Sequence, residues 1–118
     1  MARLDLIEGA IVIRLTLVER LFGYTGGDGR VPLTAVRSAY VSERPWNELR
    51  GLRSPGVRYP GRAIGTWRWQ HGRDFVALRG RGPAVVVELA GVEYTRLLVS
   101  DPFAASTAAE IDAAKPHP

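Results

Sequence analysis

The chain has 118 residues, of which 46% are hydrophobic and 24% are charged, and this composition predicts one globular domain and excludes a disordered chain. It contains no cysteine, which excludes disulfides, cysteine-ligated zinc and thiol catalysis. The net charge of +4 is concentrated in residues 44–81, where nine arginines stand against two acids, so this segment can attract anions locally.

The first third of the chain alternates between apolar and polar residues, as half-buried strands do. Residues 4–7 predict a short strand, and Glu8-Gly9 predicts a turn into a second strand over 11–17. Residues 24–30 hold three glycines and an aspartate, which indicates a loop. A third strand is expected over residues 31–42, with a proline tolerated near its start.

Residues 44–62 interrupt this pattern with three prolines and three glycines. Such a composition excludes a long helix or a central strand and predicts a long irregular loop. Trp46, Leu49 and Leu52 have near-helical spacing, so a short turn there could fold back onto the core.

Regular strands are predicted again after this loop, over residues 63–69, 74–79, 84–89 and 94–100. Short turns separate them, and Gly80-Arg81-Gly82-Pro83 is interpreted as a hairpin turn. The total is about seven antiparallel strands. None of the apolar runs is longer than four residues, so no membrane-spanning helix is expected.

The chain changes to helical periodicity at Asp101, which is a good N-cap followed by Pro102 at the first helical position. Phe103, Thr107 and Ile111 then recur at intervals of four until a proline at 116. The sequence therefore predicts a mainly β fold, a barrel or sandwich with one C-terminal helix, as a single domain over residues 1–115 with a short tail at 116–118.

This element order resembles that of the bacterial pleckstrin-homology-like (PH-like) domain proteins. The similar stretches are Val31-Pro32-Leu33-Thr34-Ala35-Val36 at the third strand and Leu98-Val99-Ser100-Asp101-Pro102-Phe103 at the start of the helix, together with the central residues 49–56 and 65–67. The resemblance implies two roughly orthogonal antiparallel sheets capped by the helix, and a homo-oligomer is plausible in that family. It implies no catalytic set. The first hairpin, Glu8-Gly9-Ala10, lacks the basic pair of phosphoinositide-binding members.

Catalytic and metal sites lack the residues they need. The two histidines, His71 and His117, lie in a glycine-bounded turn and in the proline-flanked tail. The lone lysine, Lys115, comes too late in the chain to serve a phosphate-binding loop. We therefore expect no enzyme activity, no cofactor and no metal.

The remaining candidate site is an anion-binding face in the irregular segment. Guanidinium groups bind phosphates and carboxylates in pairs of hydrogen bonds, and interleaved aromatic rings can stack on ligands. The candidate residues are Arg50, Arg53, Arg58 and Arg62, with Trp46 and Tyr59. Ion pairs from these arginines to Glu43, Glu48 or Asp74 would remove them from such a face.

Three functions are compatible with these residues. The first is a non-catalytic binding or assembly module that contacts protein partners or itself through open sheet edges. The second is peripheral binding of anionic lipid headgroups through residues 44–62. The third is nonspecific nucleic-acid binding, ranked last because no recognition helix is predicted and the net charge is small. The expected location is the cytoplasm, with the inner face of the membrane as the site of any peripheral contact.

Overall fold

The computed structural model describes residues 3–14 and 30–115, apart from the side chains at positions 3, 14, 53–57 and 59. Within these ranges the chain forms nine strands, two short 3-10 helices and one α-helix. The strands are β1 (Arg3–Ile7), β2 (Ala10–Arg14), β3 (Arg30–Pro32), β4 (Val36–Ser42), β5 (Leu52–Tyr59), β6 (Arg62–Trp69), β7 (Gly72–Arg79), β8 (Ala84–Leu89) and β9 (Arg96–Ser100). The 3-10 helices are Leu33–Ala35 and Pro45–Glu48, and the α-helix, α1, is Ala104–Ala114.

The strands form two sheets. The small sheet has the order β1-β2-β3, and the large sheet has the order β4-β8-β9-β7-β6-β5. The mainly β class with a C-terminal helix is confirmed, but the sheets are not closed into a barrel. The described residues also contain nine strands instead of about seven, and β7 pairs with β9 in parallel.

The parallel pair overturns one predicted hairpin. The turn at 80–83 does not join neighbouring strands, because β9 lies between β7 and β8 in the sheet. Local sequence could not show this, since the insertion of β9 depends on contacts with residues some twenty positions away.

Two other element predictions were wrong in their boundaries. The third strand, expected over 31–42, is divided by the 3-10 helix Leu33–Ala35, so that β3 joins the small sheet and β4 the large one.

The segment 44–62 is not wholly irregular, because β5 lies within it. Its proline and its register shift between Arg53 and Gly56 are tolerated because β5 is the last strand of the sheet. The predictions for residues 15–29 and 116–118 lie outside the described residues.

The inner strands of the large sheet are buried on both faces, which explains their continuous apolar runs. One face of β7 and β8 carries Phe75, Ala77, Val85 and Val87, which pack in the main core with residues of the small sheet and α1. The opposite face carries Val76, Leu78 and Val86, which form a second cluster. Trp46 and Leu49, from the chain between β4 and β5, cover that second cluster.

Helix α1 lies against β4 and β8. The Asp112 carboxylate accepts a hydrogen bond from the Ala39 backbone N–H at 3.1 Å, which ties the helix to the outer strand β4. The helix begins at Ala104 instead of directly after Asp101, but the Asp101 carboxylate still accepts hydrogen bonds from the Phe103 N–H and the Thr107 hydroxyl. The Asp101 side chain thus accepts hydrogen bonds at the start of the helix, but the N-cap position belongs to Phe103, and the prediction that the helix begins at Pro102 is wrong.

Candidate functional site

A row of polar residues crosses the second face of the large sheet, next to the apolar cluster. Register places Ser38, Glu88, Arg96 and Asp74 side by side on β4, β8, β9 and β7. Asp74 and Arg96 are buried. Buried charges in a sheet require partners, so this row defines the most unusual chemistry of the described residues.

The fully buried Asp74 carboxylate is surrounded by donors. Arg50 binds it side-on, with Nε 2.6 Å from Oδ2 and Nη2 3.0 Å from Oδ1. Arg96 Nη2 lies 2.9 Å from Oδ2. The Trp69 indole N–H and the Thr95 hydroxyl each donate to Oδ1 at 3.1 Å. Two guanidinium groups and two neutral donors thus satisfy one carboxylate, and these five residues are called the Asp74 cluster below.

The Asp74 cluster also anchors the chain that precedes β5. Arg96 Nη1 lies 3.4 Å from the Glu48 carboxylate, and Arg96 Nη2 also donates to the Glu48 backbone carbonyl. Gly51, with φ of +80°, brings the backbone so close to β6 that an added Cβ would lie 2.0 Å from the Arg68 carbonyl oxygen. The ion pairs and this close approach hold residues 48–51 on the sheet.

Arg50 is therefore not a freely exposed cation. Its guanidinium carbon lies 3.7 Å from the centre of the Trp69 ring, and its side chain is one-third exposed. The combination of a side-on carboxylate and a stacked ring fixes the guanidinium plane. Because it pairs with Asp74, Arg50 does not belong to the predicted anion-binding face.

The other predicted site residues lie elsewhere. The Trp46 indole N–H donates to the Gly80 carbonyl at 2.8 Å, so Trp46 lies at the opposite end of β7 from Arg50. Arg58 is exposed, with its guanidinium 5.6 Å from the Trp46 ring centre, and Arg62 is half-buried. The side chains of Arg53 and Tyr59 lie outside the described residues. Arg58 thus lies near Trp46, Arg62 lies at the same end of the sheet on the face of Ile64, and Arg50 is separated from both.

Further arginines gather around Arg58 and Arg62 at this end of the large sheet. Arg62 and Arg79 are directly opposed in the β6–β7 register, and the Gly80 N–H donates to the Gly61 carbonyl at 2.8 Å. Arg81 and Arg44 are exposed on the turns that adjoin Gly80 and Trp46. This group is called the arginine-rich end: Arg44, Arg58, Arg62, Arg79 and Arg81.

A groove with a volume of about 370 Å³ opens over the polar row, at the opposite end of the strands from the arginine-rich end. Its wall includes Arg37 and Ser38 from β4, Glu88 from β8, Arg50 and His71. Tyr40 donates to the Glu88 carboxylate at 3.2 Å. Burial, and next the negative charge of Glu88, raise the pKa of the Tyr40 hydroxyl. Sequence reasoning missed Arg37 and Arg96 and interpreted Glu88 as a surface or cross-strand residue, although a charged residue that begins an apolar strand, as Arg96 does, is a detectable signal.

The outer edge of β5 is the third notable feature. β5 pairs only with β6 among the strands of the described residues. Leu52, its first residue, is 79% exposed, the highest value among the large hydrophobic residues of the described chain. An apolar residue on an unpaired sheet edge is a feature that monomeric proteins usually avoid.

None of the helices in the described residues is long and apolar enough to span a membrane. No group of three or more histidine or acidic side chains in residues 3–14 and 30–115 is arranged to hold a metal ion. Comparisons with protein-family models, curated proteins and solved structures returned no match to this chain.

Proposed function

We propose that the protein is a non-catalytic binding module of PH-like architecture that acts through protein contacts, with a second copy of itself as the first partner to test. The PH-like part of this proposal is supported by the element order, two sheets followed by a helix that packs on one of them. The roughly orthogonal sheet packing of PH-like domains belongs to the same proposal, whereas the parallel β7–β9 pair departs from its antiparallel plan.

The unpaired edge of β5 is the observation that carries self-association. A twofold axis beside this edge would pair β5 with the β5 of a second copy in antiparallel fashion, and identical surfaces then meet. Pro55 removes one backbone donor from the edge, so the pairing rests on the residues on either side of it. Leu52 would become buried in such a dimer.

Light scattering coupled to gel filtration over micromolar concentrations tests this proposal. We expect the unmodified protein to dimerise, and Leu52→Lys to weaken the dimer at least about tenfold, because a charge on an edge strand opposes pairing. Phe103→Lys is the matched control, since Phe103 is 73% exposed but lies outside the sheet. A monomer at all concentrations, or equal weakening by both variants, would reject self-association through β5.

A second candidate, peripheral binding to anionic lipid headgroups, is favoured by the arginine-rich end. Arg44, Arg58, Arg79 and Arg81 are exposed at this end of the sheet, and an anionic surface would attract them. Arg50 is no longer part of this face, whereas Arg79, Arg81 and Arg44 extend it. Contact with the inner face of a membrane would follow from this candidate.

Vesicle sedimentation tests the second candidate. The protein should sediment with vesicles that contain phosphatidylglycerol and remain in solution with phosphatidylcholine alone. The double variant Arg58→Ala/Arg81→Ala should lose that binding, whereas Arg37→Ala, which removes an exposed arginine at the groove, should keep it. Binding to duplex DNA with a steep salt dependence, without vesicle binding, would favour the nucleic-acid alternative instead.

A further inference from the structure

The groove beside the Asp74 cluster is separate from both surfaces considered above, and it has the size and the polar lining that a small ligand requires. Its volume of about 370 Å³ lies within the range of small-molecule pockets. Arg37, Arg50 and Glu88 bring both signs of charge to its wall, and Ser38 and Thr95 add hydroxyl groups. Arg37 and Ser38 come from β4 and Glu88 from β8, whereas Arg50 and Thr95 come from the chain just before β5 and β9, so the large sheet holds their positions.

Arg50 is preorganised for recognition. Its Nε and Nη2 are bound to Asp74, and its plane is stacked on Trp69, so the side chain has already lost the rotamer freedom that binding would otherwise remove. Neither of those two bonds uses Nη1. A guanidinium that is fixed on its inner edge and one-third exposed can present its outer edge to an acceptor.

Arg37 supplies a second cation. It is exposed, lines the groove, and makes no ion pair within the described residues. Across the groove, the Glu88 carboxylate accepts a hydrogen bond from Tyr40 and keeps acceptor capacity for a further donor. A dianionic phosphate would meet repulsion from Glu88, whereas a monoanion with its own N–H donor would match both walls.

We propose that this groove binds a carboxylate that stands next to an N–H donor, the chemistry shared by a free amino acid and a peptide C-terminus. The carboxylate would lie between Arg37 and Arg50, and the N–H group would face Glu88. Leu89 gives the groove an apolar wall for an aliphatic side chain. This inference stands apart from self-association and from lipid binding, because it uses neither the β5 edge nor the arginine-rich end.

Nuclear magnetic resonance titration tests the proposal on the full chain, with the Trp69 indole N–H as the reporter because it donates to Asp74 at the groove. The probes are leucine, N-acetyl-glycyl-leucine, the C-terminal amide of that peptide, and inorganic phosphate. Saturable shifts with leucine alone would identify an amino-acid site, and shifts with the acetylated peptide would identify a peptide C-terminus. Equal shifts with the amide, stronger shifts with phosphate, or no shift with any probe would overturn the proposal.

Three variants locate the binding. Arg37→Ala should weaken binding at least about tenfold, as expected for one lost charge-assisted contact, and Glu88→Gln should weaken it less. Arg81→Ala, at the opposite end of the sheet, is the control and should leave it unchanged. Unchanged affinity in Arg37→Ala would overturn the proposal even if a ligand shifts the reporter. Arg50 is not substituted, because it also satisfies the buried Asp74.

Discussion

Asp74 illustrates how one buried charge organises its surroundings. Its carboxylate is fully buried and contacts Arg50 at 2.6 Å and Arg96 at 2.9 Å. Such pairs contribute little net stability compared with apolar residues, but removing one partner leaves the others uncompensated. The role of Asp74 is therefore to hold two arginines, and through Arg96 the backbone at Glu48, in fixed positions.

Replacement of Asp74 tests this role. Asp74→Asn keeps the size of the side chain but removes the counter-charge of Arg50 and leaves the buried Arg96 with Glu48 alone, so we expect a loss of about 3–5 kcal/mol of unfolding free energy. Denaturant unfolding measures the change. Glu93→Gln is the control, because the Glu93–Arg73 pair is partly exposed at 3.4 Å and should contribute less than about 1 kcal/mol. A similar small loss in both variants would contradict this interpretation of the cluster.

Tyr40 gives a prediction for alkaline pH. Burial and the charge of Glu88 raise its pKa above the ordinary value of 10.0, so the folded chain holds this proton more tightly than the unfolded chain does. The resulting stability is fully present below pH 10 and is lost as the pH rises through the raised pKa. Tyr40→Phe should therefore lose less stability than the unmodified protein above pH 10. Denaturant unfolding between pH 9 and pH 11 measures this difference, and parallel curves for the two proteins would show that Tyr40 makes no such contribution.

At individual residues, the sequence predicted which side chains are apolar or charged, but it did not predict which residues they contact. Trp67, for example, is buried in the second cluster, as expected for a large aromatic residue on a strand. Arg50 was expected to be exposed because it lies among prolines and glycines. Its partner Asp74 is 24 positions away, and no local pattern connects the two.

Among the elements, α1 was the most predictable because its start depends on adjacent residues. Asp101 accepts hydrogen bonds from the Phe103 N–H at 2.7 Å and from the Thr107 hydroxyl at 2.6 Å. β5 was the least predictable, since Pro55 and Gly56 within it indicate a loop as long as the neighbouring strand is unknown. An edge position tolerates those residues, and only the tertiary structure reveals that position.

The capping role of Asp101 can be measured directly. Asp101→Ala removes both hydrogen bonds at the start of α1, and we expect a loss of about 0.5–2 kcal/mol, the range for capping residues. Thermal or denaturant unfolding would report this change. Glu110→Ala is the matched control, because Glu110 is an exposed acid on the same helix. Equal effects of the two substitutions would mean that removal of an acid from the helix region, and not the capping geometry, is responsible.

For the whole molecule, burial of the large sheet on both faces is the property that the sequence indicated only in part. The run Val85-Val86-Val87 predicted a strand, yet it did not show that alternate residues enter two different clusters. The second cluster is covered by Trp46 and Leu49, in line with the short turn predicted there, whereas Leu52 from the same predicted turn is exposed. The most apolar strands, β8 and β9, thus lie in the middle of the large sheet and are buried on both faces.

Hydrogen exchange of backbone amides should follow this arrangement. β8 and β9 have strand neighbours on both sides and are buried on both faces, so their amides should open only on global unfolding. Amides of β5 and β1, which each have one strand neighbour among the described residues, should exchange faster through local opening. The β4 amide of Ala39 is an informative exception, because Asp112 covers it and should slow its exchange relative to other outer-strand amides. Exchange of β8 and β9 as fast as that of β5 would contradict the two-faced burial, since strands in the middle of a packed sheet cannot open without the rest.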